Sequence, residues 1–175
     1  MSKENTPRAN WIKPAVIGVV VAALAIGGYL TLGRAPAPAA PQVTFIDLQG
    51  QKIGLDSLRG KVVMVNFWAT SCTTCVKEMP QMVDTYNKFK GQGLEFVAVA
   101  MKYDPPNYVI NFTETRKLPF TVALDSGGDI AKAFNDVQLT PTTYLIDKNG
   151  KIIKRYVGEP DFKALHLLLE KELAS

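Results

Sequence analysis

The chain has 175 residues, of which 47% are hydrophobic, so it is long enough for one domain with its own core plus an appended segment. Its formal net charge is +4, and the basic excess lies near the N-terminus, at Lys3, Arg8, Lys13 and Arg34. Because the remainder is close to neutral, the charge pattern argues against a nucleic-acid partner.

An uncharged, strongly apolar run occupies residues 14–33. A helix of about 20 residues spans roughly 30 Å, which matches the hydrocarbon core of a bilayer. More basic residues precede the run than follow it, so the positive-inside rule leaves residues 1–13 in the cytoplasm. We therefore predict a single-pass transmembrane helix in the bacterial cytoplasmic membrane, with the remainder facing the periplasm or the cell exterior.

The apolar run has two other interpretations. The tripeptide Ala37-Pro38-Ala39 resembles the cleavage site of a secretory signal peptide, but the run is longer than the usual apolar region of about 7–15 residues. A buried soluble helix is disfavoured because no polar stripe recurs at helical spacing. An anchor that is retained remains the favoured interpretation.

A Pro/Ala-rich stretch, residues 34–42, predicts a stiff, extended spacer ahead of a domain at 43–175. Within the domain, a β-branched run at 61–68 is typical of a central buried strand, and apolar residues then recur at helical spacing from Cys72 to about Phe89. The other predicted elements, in chain order, are hairpin strands 43–47 and 51–55, a short turn at 56–58, strand 94–100, helix 107–117, strand 120–124, short helix 129–134, hairpin strands 142–147 and 151–157, and a final helix that starts at Glu159-Pro160.

The two cysteines of the chain, Cys72 and Cys75, form a Cys-x-x-Cys motif where the buried strand gives way to a helix. Residues three apart lie on the same helix face, so a disulfide between them can form and open with little movement. Unpaired N–H groups and the positive dipole end at a helix start stabilise a thiolate. We therefore predict that Cys72 is the nucleophile and that Cys75 resolves the mixed disulfide with a client protein.

Two structural roles for the cysteines are less consistent with the pattern. A static disulfide that closes so short a loop restrains little chain entropy in the unfolded state. A zinc site needs further ligands, and the one histidine, His166, lies among the leucines of the final helix, as an ordinary helix residue would. We expect no metal and no cofactor other than the redox-active Cys72–Cys75 disulfide.

Two motifs identify a family resemblance. The first runs from Asn66 to Pro80, NFWATSCTTCVKEMP, and the second is TPTTY, starting at Thr140. With the inserted segment 104–124 between them, they resemble the membrane-anchored thioredoxin-like proteins of the TlpA/ResA type. The resemblance extends from Val43 to the C-terminus and implies a thioredoxin-like α/β fold with an N-terminal β-hairpin and a central helix–strand insertion.

The resemblance also implies roles for residues outside the cysteine pair. Pro141 is expected to be cis and to lie against the pair, and Thr140 is expected to pair its backbone with a client peptide. Trp68 is assigned to the client-binding residues, although we expect it beneath the active-site loop. Glu78 is the acidic residue that would accept the Cys75 proton, and the alternative is a solvated glutamate that complements the helix dipole.

Three further positions qualify the resemblance. Pro80 is expected to kink the helix rather than end it, since the apolar pattern continues beyond it. Asn66 occupies the position where cytoplasmic thioredoxins have a buried aspartate, and an amide cannot carry protons. Ser71 stands where most relatives have Trp, which removes a large apolar contact from the client-facing surface.

The function implied by the resemblance is reduction of specific extracytoplasmic disulfides, such as a cytochrome c haem-binding motif or a copper-site thiol pair, with a membrane thiol transporter as electron donor. A disulfide-forming oxidase with the same pair stays open, because Thr73-Thr74 does not decide the direction of electron flow. A thiol peroxidase would need an Arg near Cys72, and a copper-binding module would need wider cysteine spacing and a well-placed His.

Overall fold

A five-stranded mixed sheet organises residues 37–175, which are the residues that the computed structural model describes. The elements are β1 (Thr44–Ile46), β2 (Lys52–Gly54), β3 (Val62–Trp68), α1 (Thr73–Phe89), β4 (Leu94–Ala100), α2 (Pro106–Arg116), β5 (Thr121–Leu124), α3 (Asp129–Ala133), β6 (Thr142–Ile146), β7 (Ile152–Val157) and α4 (Phe162–Ala174). The strand order of the sheet is β5-β4-β3-β6-β7, and a separate hairpin pairs β1 with β2. Short 3-10 helices follow β2 and α1, at Leu55–Leu58 and Lys90–Gln92.

Strand β3 lies at the centre of the sheet because all seven of its residues are buried. It runs parallel to β4 and antiparallel to β6. Its alternate residues face two separate hydrophobic clusters, as a central strand covered on both faces requires. One cluster joins the sheet to α1, α2 and α4, and the other joins it to the β1–β2 hairpin and α3.

The predicted α/β order is confirmed, including the N-terminal hairpin and the helix–strand insertion formed by α2 and β5. The predicted start of the final helix at Glu159-Pro160 is wrong, because α4 begins at Phe162. The Asp161 side chain accepts a hydrogen bond of 3.0 Å from the Ala164 N–H, which makes Asp161 the N-cap. Helix α1 continues through Pro80, as the apolar pattern indicates.

The predicted transmembrane helix at 14–33 lies outside the described residues, as do residues 1–13 and the start of the spacer. Among residues 37–175, no helix combines the length and the apolarity that crossing a membrane requires.

The described part of the predicted spacer, residues 37–42, is hydrogen-bonded to the domain. The Ala40 N–H donates to the Gly150 carbonyl at 2.9 Å, and the Ile152 N–H donates to the Pro38 carbonyl at 2.8 Å. Ala40 is buried. The physical reason is that β7 is an edge strand with unpaired backbone groups, which an extended Pro/Ala segment can satisfy.

This contact predicts unequal effects of the same substitution at neighbouring alanines. Ala40→Asp places a carboxylate in a buried position and should lower the free energy of unfolding of the oxidised protein by about 2 kcal/mol or more. Ala39→Asp is the matched control, since Ala39 is exposed, and should change it by about 0.5 kcal/mol or less. Urea unfolding measures both values. Equal effects at the two positions would show that the segment is not part of the domain.

Candidate redox site

The cysteine pair lies at the N-terminus of α1. Cys72 is the N-cap residue with extended backbone angles (φ −87°, ψ 103°), and its Sγ accepts a hydrogen bond of 3.1 Å from the Cys75 N–H. The two cysteines form a disulfide with a Cα–Cα distance of 5.2 Å. Cys75 is completely buried, whereas Cys72 is partly exposed. Only Cys72 can therefore be reached by a client sulfur, which favours Cys72 as the nucleophile.

The loop that leads into α1 is fixed by a buried carboxylate. The Thr70 N–H and the Thr70 hydroxyl each donate a 2.6 Å hydrogen bond to the Asp104 carboxylate, one to each oxygen. Asp104 is 4% exposed. Sequence reasoning missed this residue, although one signal was present. Asp104 lies in the loop that follows β4, and loops at the carboxyl ends of adjacent parallel strands meet at one edge of a sheet.

The Thr140–Pro141 peptide bond is cis, as the family resemblance implies. Thr142, the first residue of β6, pairs with Phe67 near the end of β3, so Pro141 lies at the same end of the sheet as the cysteines. The Pro141 carbonyl accepts a hydrogen bond from the Gly158 N–H at 2.8 Å. Within residues 37–175, the backbone N–H and C=O of Thr140 make no backbone hydrogen bond.

Trp68 lies beneath the active-site loop, where its side chain is completely buried. Its ring packs against Phe112 of α2 with a centroid distance of 5.2 Å. A side chain in this position cannot touch a client, so the assignment of Trp68 to the client-binding residues is corrected. Trp68 packs beneath the active-site loop and connects β3 with α2, the inserted helix.

Glu78 is buried one helical turn beyond Cys75, with only 1% of its surface exposed. The alternative of a solvated glutamate is therefore wrong. The Asn66 amide donates to Glu78 Oε1 at 3.2 Å and also lies 2.9 Å from the Thr143 hydroxyl oxygen. Burial raises the pKa of Glu78 from 4.5 to about 7, the Asn66 hydrogen bond opposes this shift, and the Glu159 carboxylate adds to it.

A carboxyl group with this pKa can both accept and release a proton near neutral pH. Its second oxygen, Oε2, has no hydrogen-bond partner among the described residues, and neither has Asn66 Oδ1. Unpaired buried acceptors cost free energy, and the cost is larger for an ionised group. The surroundings of Glu78 therefore disfavour its ionised form, which agrees with the raised pKa.

His166 lies away from the redox pair, between α1 and α4. Its Nε2 is 2.8 Å from the Thr85 hydroxyl oxygen, and its ring packs against Phe89 with a centroid distance of 5.4 Å. These contacts agree with the expectation of an ordinary helix residue. In the described part of the chain, no group of His, Cys, Asp and Glu side chains could hold a metal ion.

A Cys-x-x-Cys pair at a helix N-terminus, at the same end of the sheet as a cis-proline and in a thioredoxin-like fold, defines a thiol–disulfide oxidoreductase. The family model described as Redoxin matches residues 35–166. Thiol-disulfide oxidoreductase ResA of Bacillus thuringiensis subsp. konkukian is 41% identical over 133 residues, which are 75% of each chain. The chain belongs to the Redoxin family and, within it, to the TlpA/ResA type.

Two solved structures resemble the domain. The solution structure of a putative thioredoxin from Neisseria meningitidis is 38% identical, with a TM-score of 0.74, and the match covers 79% of this chain and 92% of that one. The crystal structure of a putative thiol:disulfide interchange protein DsbE from Chlorobium tepidum is 31% identical, with a TM-score of 0.72, covering 78% and 96%. Both similarities confirm the thioredoxin-like fold.

The raised pKa of Glu78 makes stability depend on pH. Between pH 4.5 and about 7 the folded state holds a proton that the unfolded state releases, so the stability of the wild-type protein falls as pH rises through this window. The full cost, about 3 kcal/mol, is reached above pH 7. Glu78→Gln lacks this titration. Its free energy of unfolding relative to wild type should therefore rise by up to about 3 kcal/mol from pH 4.5 to pH 8.

Urea unfolding of the oxidised proteins across this pH range measures the difference. Glu114→Gln removes an exposed carboxylate from α2 and is the matched control. A Glu78→Gln difference that does not change with pH would contradict the buried environment of this carboxyl group.

Proposed function

We propose that this protein is a membrane-anchored, extracytoplasmic reductase of client disulfides that uses Cys72 and Cys75. The observation that carries the proposal is Glu78, a buried carboxyl group one turn beyond Cys75 with a pKa of about 7. A cation near the pair would stabilise the Cys72 thiolate, and therefore the reduced protein, which raises the reduction potential of the pair. An ionised carboxyl group there destabilises the thiolate and lowers the potential, which favours a reductase. The alternative is a disulfide-forming oxidase with the same pair.

The proposed reaction has two exchange steps. The Cys72 thiolate attacks one client sulfur, a mixed disulfide forms, and the client disulfide breaks to release a client thiolate. Cys75 then transfers its proton to Glu78 and attacks Cys72 Sγ, which releases the second client thiolate. The client gains two electrons, and the protein is left with the Cys72–Cys75 disulfide and a protonated Glu78. The client thiolates take up protons as they leave.

The client is proposed to lie across the cis-proline loop. The unpaired backbone groups of Thr140 offer strand-like pairing to an extended segment. Leu139 is 64% exposed and Tyr103 is 54% exposed, and the Tyr103 hydroxyl oxygen lies 3.3 Å from that of Thr140. Ser71, next to Cys72, is exposed but offers a client no large apolar side chain. The exposed apolar surface on this side of the domain is therefore supplied by Leu139 and Tyr103. The surface suits a client whose cysteines lie in an extended, partly apolar segment.

Residues 14–33 are proposed to be the transmembrane anchor, with residues 1–13 in the cytoplasm and the domain in the periplasm or outside the cell. The length and apolarity of this run support the anchor. The proposed clients are the cysteine pair of a cytochrome c haem-binding motif or of a copper site. The proposed electron donor is a membrane thiol transporter. The protein would need no cofactor besides its own disulfide and would not bind nucleic acid.

The direction of electron flow follows from the redox equilibrium of the pair. The protein is equilibrated with defined ratios of reduced and oxidised dithiothreitol. We expect the reduction potential of the Cys72–Cys75 couple to lie well below that of an oxidising compartment, in the range of the reducing thioredoxins. Quantified alkylation of the free thiols gives the equilibrium constant. A potential close to that of strongly oxidising proteins would overturn the reductase and favour the oxidase.

Two variants separate the steps of the reaction. Reduced Cys75→Ala, mixed with a peptide that contains a disulfide, should stop at the mixed disulfide because the resolving thiol is missing. Cys72→Ala should form no mixed disulfide, because Cys75 is completely buried. Mass spectrometry of the acid-quenched mixtures detects the adducts. Equal adduct yields from the two variants would contradict the assignment of Cys72 as nucleophile.

The anchor has its own test. The full chain, expressed in a Gram-negative bacterium, should remain with the membranes after extraction with alkaline carbonate, and externally added protease should remove the domain only after the outer membrane is opened. A chain that starts at Ala37 is the control and should stay in the cytosol. Recovery of the full-length chain in the soluble fraction would reject the retained anchor, and release of a shortened chain would show cleavage after a signal peptide.

A further inference from the structure

Asp104 is a buried carboxylate that the proposed reaction does not use. Its side chain accepts two hydrogen bonds of 2.6 Å, both from Thr70. Only 4% of the residue is exposed. Among the salt bridges of the described residues, none involves Asp104, so its charge is balanced by the N–H and hydroxyl dipoles of Thr70 rather than by a cation.

These bonds hold the carboxylate close to Cys72. Thr70 is two residues from Cys72, and the intervening turn is closed by a hydrogen bond of 3.1 Å from the Cys72 N–H to the Ala69 carbonyl. Two residues span about 7 Å at most between their Cα atoms, and the Asp104 carboxylate lies 2.6 Å from the Thr70 nitrogen. The carboxylate is therefore within roughly 11 Å of the Cys72 Cα, and charges at such a separation still interact when the site is partly buried.

The other charged groups around the pair do not cancel this effect. On α1, Lys77 is exposed and is paired with Glu159 at 3.0 Å, and Glu78 is the buried carboxyl group described above. On the loop after β4, the Lys102 side chain extends over Gly128. Among the described residues near the cysteines, the buried ionisable side chains are therefore the carboxyl groups of Glu78 and Asp104, whereas Lys77 and Lys102 are exposed.

We propose that Asp104 is a positioning residue for the redox pair: through Thr70 it fixes the turn that leads into α1, and it holds a negative charge near Cys72 that lowers the reduction potential of the couple below the value that an uncharged residue would give. The negative charge disfavours the Cys72 thiolate and so disfavours the reduced protein, which is the form that carries this thiolate. The inference rests on the redox activity of the pair and holds for either direction of electron flow.

The test uses two measurements. If Asp104 had only a structural role, its substitution would not increase both of them. The first is the rate of Cys72 alkylation by iodoacetamide at a fixed acidic pH, where the thiol is largely protonated. The second is the equilibrium in which two glutathione thiols reduce the protein disulfide to the dithiol and become glutathione disulfide. Asp104→Asn keeps the shape of the side chain and removes its charge, so both the rate and the reduction constant should increase about threefold or more.

Asp125→Asn is the matched control. Asp125 is 3% exposed and accepts two backbone hydrogen bonds, from Ile130 at 3.0 Å and Ala131 at 2.8 Å. It follows β5, which is two strands away from β3. We expect Asp125→Asn to lower stability while leaving both readouts near the wild-type values. Identical readouts for Asp104→Asn and Asp125→Asn would overturn the inference.

Thr70→Val separates charge from loop geometry, because it removes one hydrogen bond and keeps the carboxylate. It should not produce the increase. An increase as large as that of Asp104→Asn would overturn the role of the charge. If Asp104→Asn does not fold, Asp104→Ser provides a second uncharged variant with a hydrogen-bonding side chain, and circular dichroism of each oxidised variant establishes that the comparison is between folded proteins.

Discussion

The complete burial of β3 is the constraint on which the site depends. Because both of its faces are covered and both of its edges are paired, this strand cannot shift without exposing a core. Its pairing with β4 brings the Asp104 loop to the active-site loop, and its pairing with β6 brings the cis-proline to the same end of the sheet. The redox pair is therefore assembled by strand register, with α1 supplying the N-terminus at which Cys72 lies.

Three polar side chains are buried beneath the redox pair, in a part of the core that is otherwise largely apolar. Asn66, Glu78 and Thr143 are all buried, and they form a chain of contacts between β3, α1 and β6. Burying polar groups is costly unless they are paired, and here the pairing is incomplete. Burial raises the pKa of Glu78 to about 7, so both of its protonation states are accessible near neutral pH, and further hydrogen bonds to the carboxylate would lower that pKa.

The parts of the structure that could be predicted from the sequence are those encoded locally. The strand-to-helix change at Cys72 follows from a β-branched run beside an apolar pattern at helical spacing, and the hairpin turn at Gly150 requires the positive φ of 69° that glycine adopts readily. Asp104 and Ala40 were not predicted, because their partners are 34 residues or more distant and no local pattern encodes such contacts. The burial of Glu78 was one of two alternatives, since it depends on how α1 packs against β3.

The attachment of Pro38–Ala40 beside Gly150 has a practical consequence. Strand β6 leads away from the redox end of the sheet, from Thr142 opposite Phe67 to Ile146 opposite Val63, and the N-terminal segment joins the domain beyond that far end. Five strand residues cover about 16 Å. A domain coupled to an electrode or a resin through its first described residues would be held by the end remote from its sulfurs, so immobilised enzyme should remain open to large protein substrates.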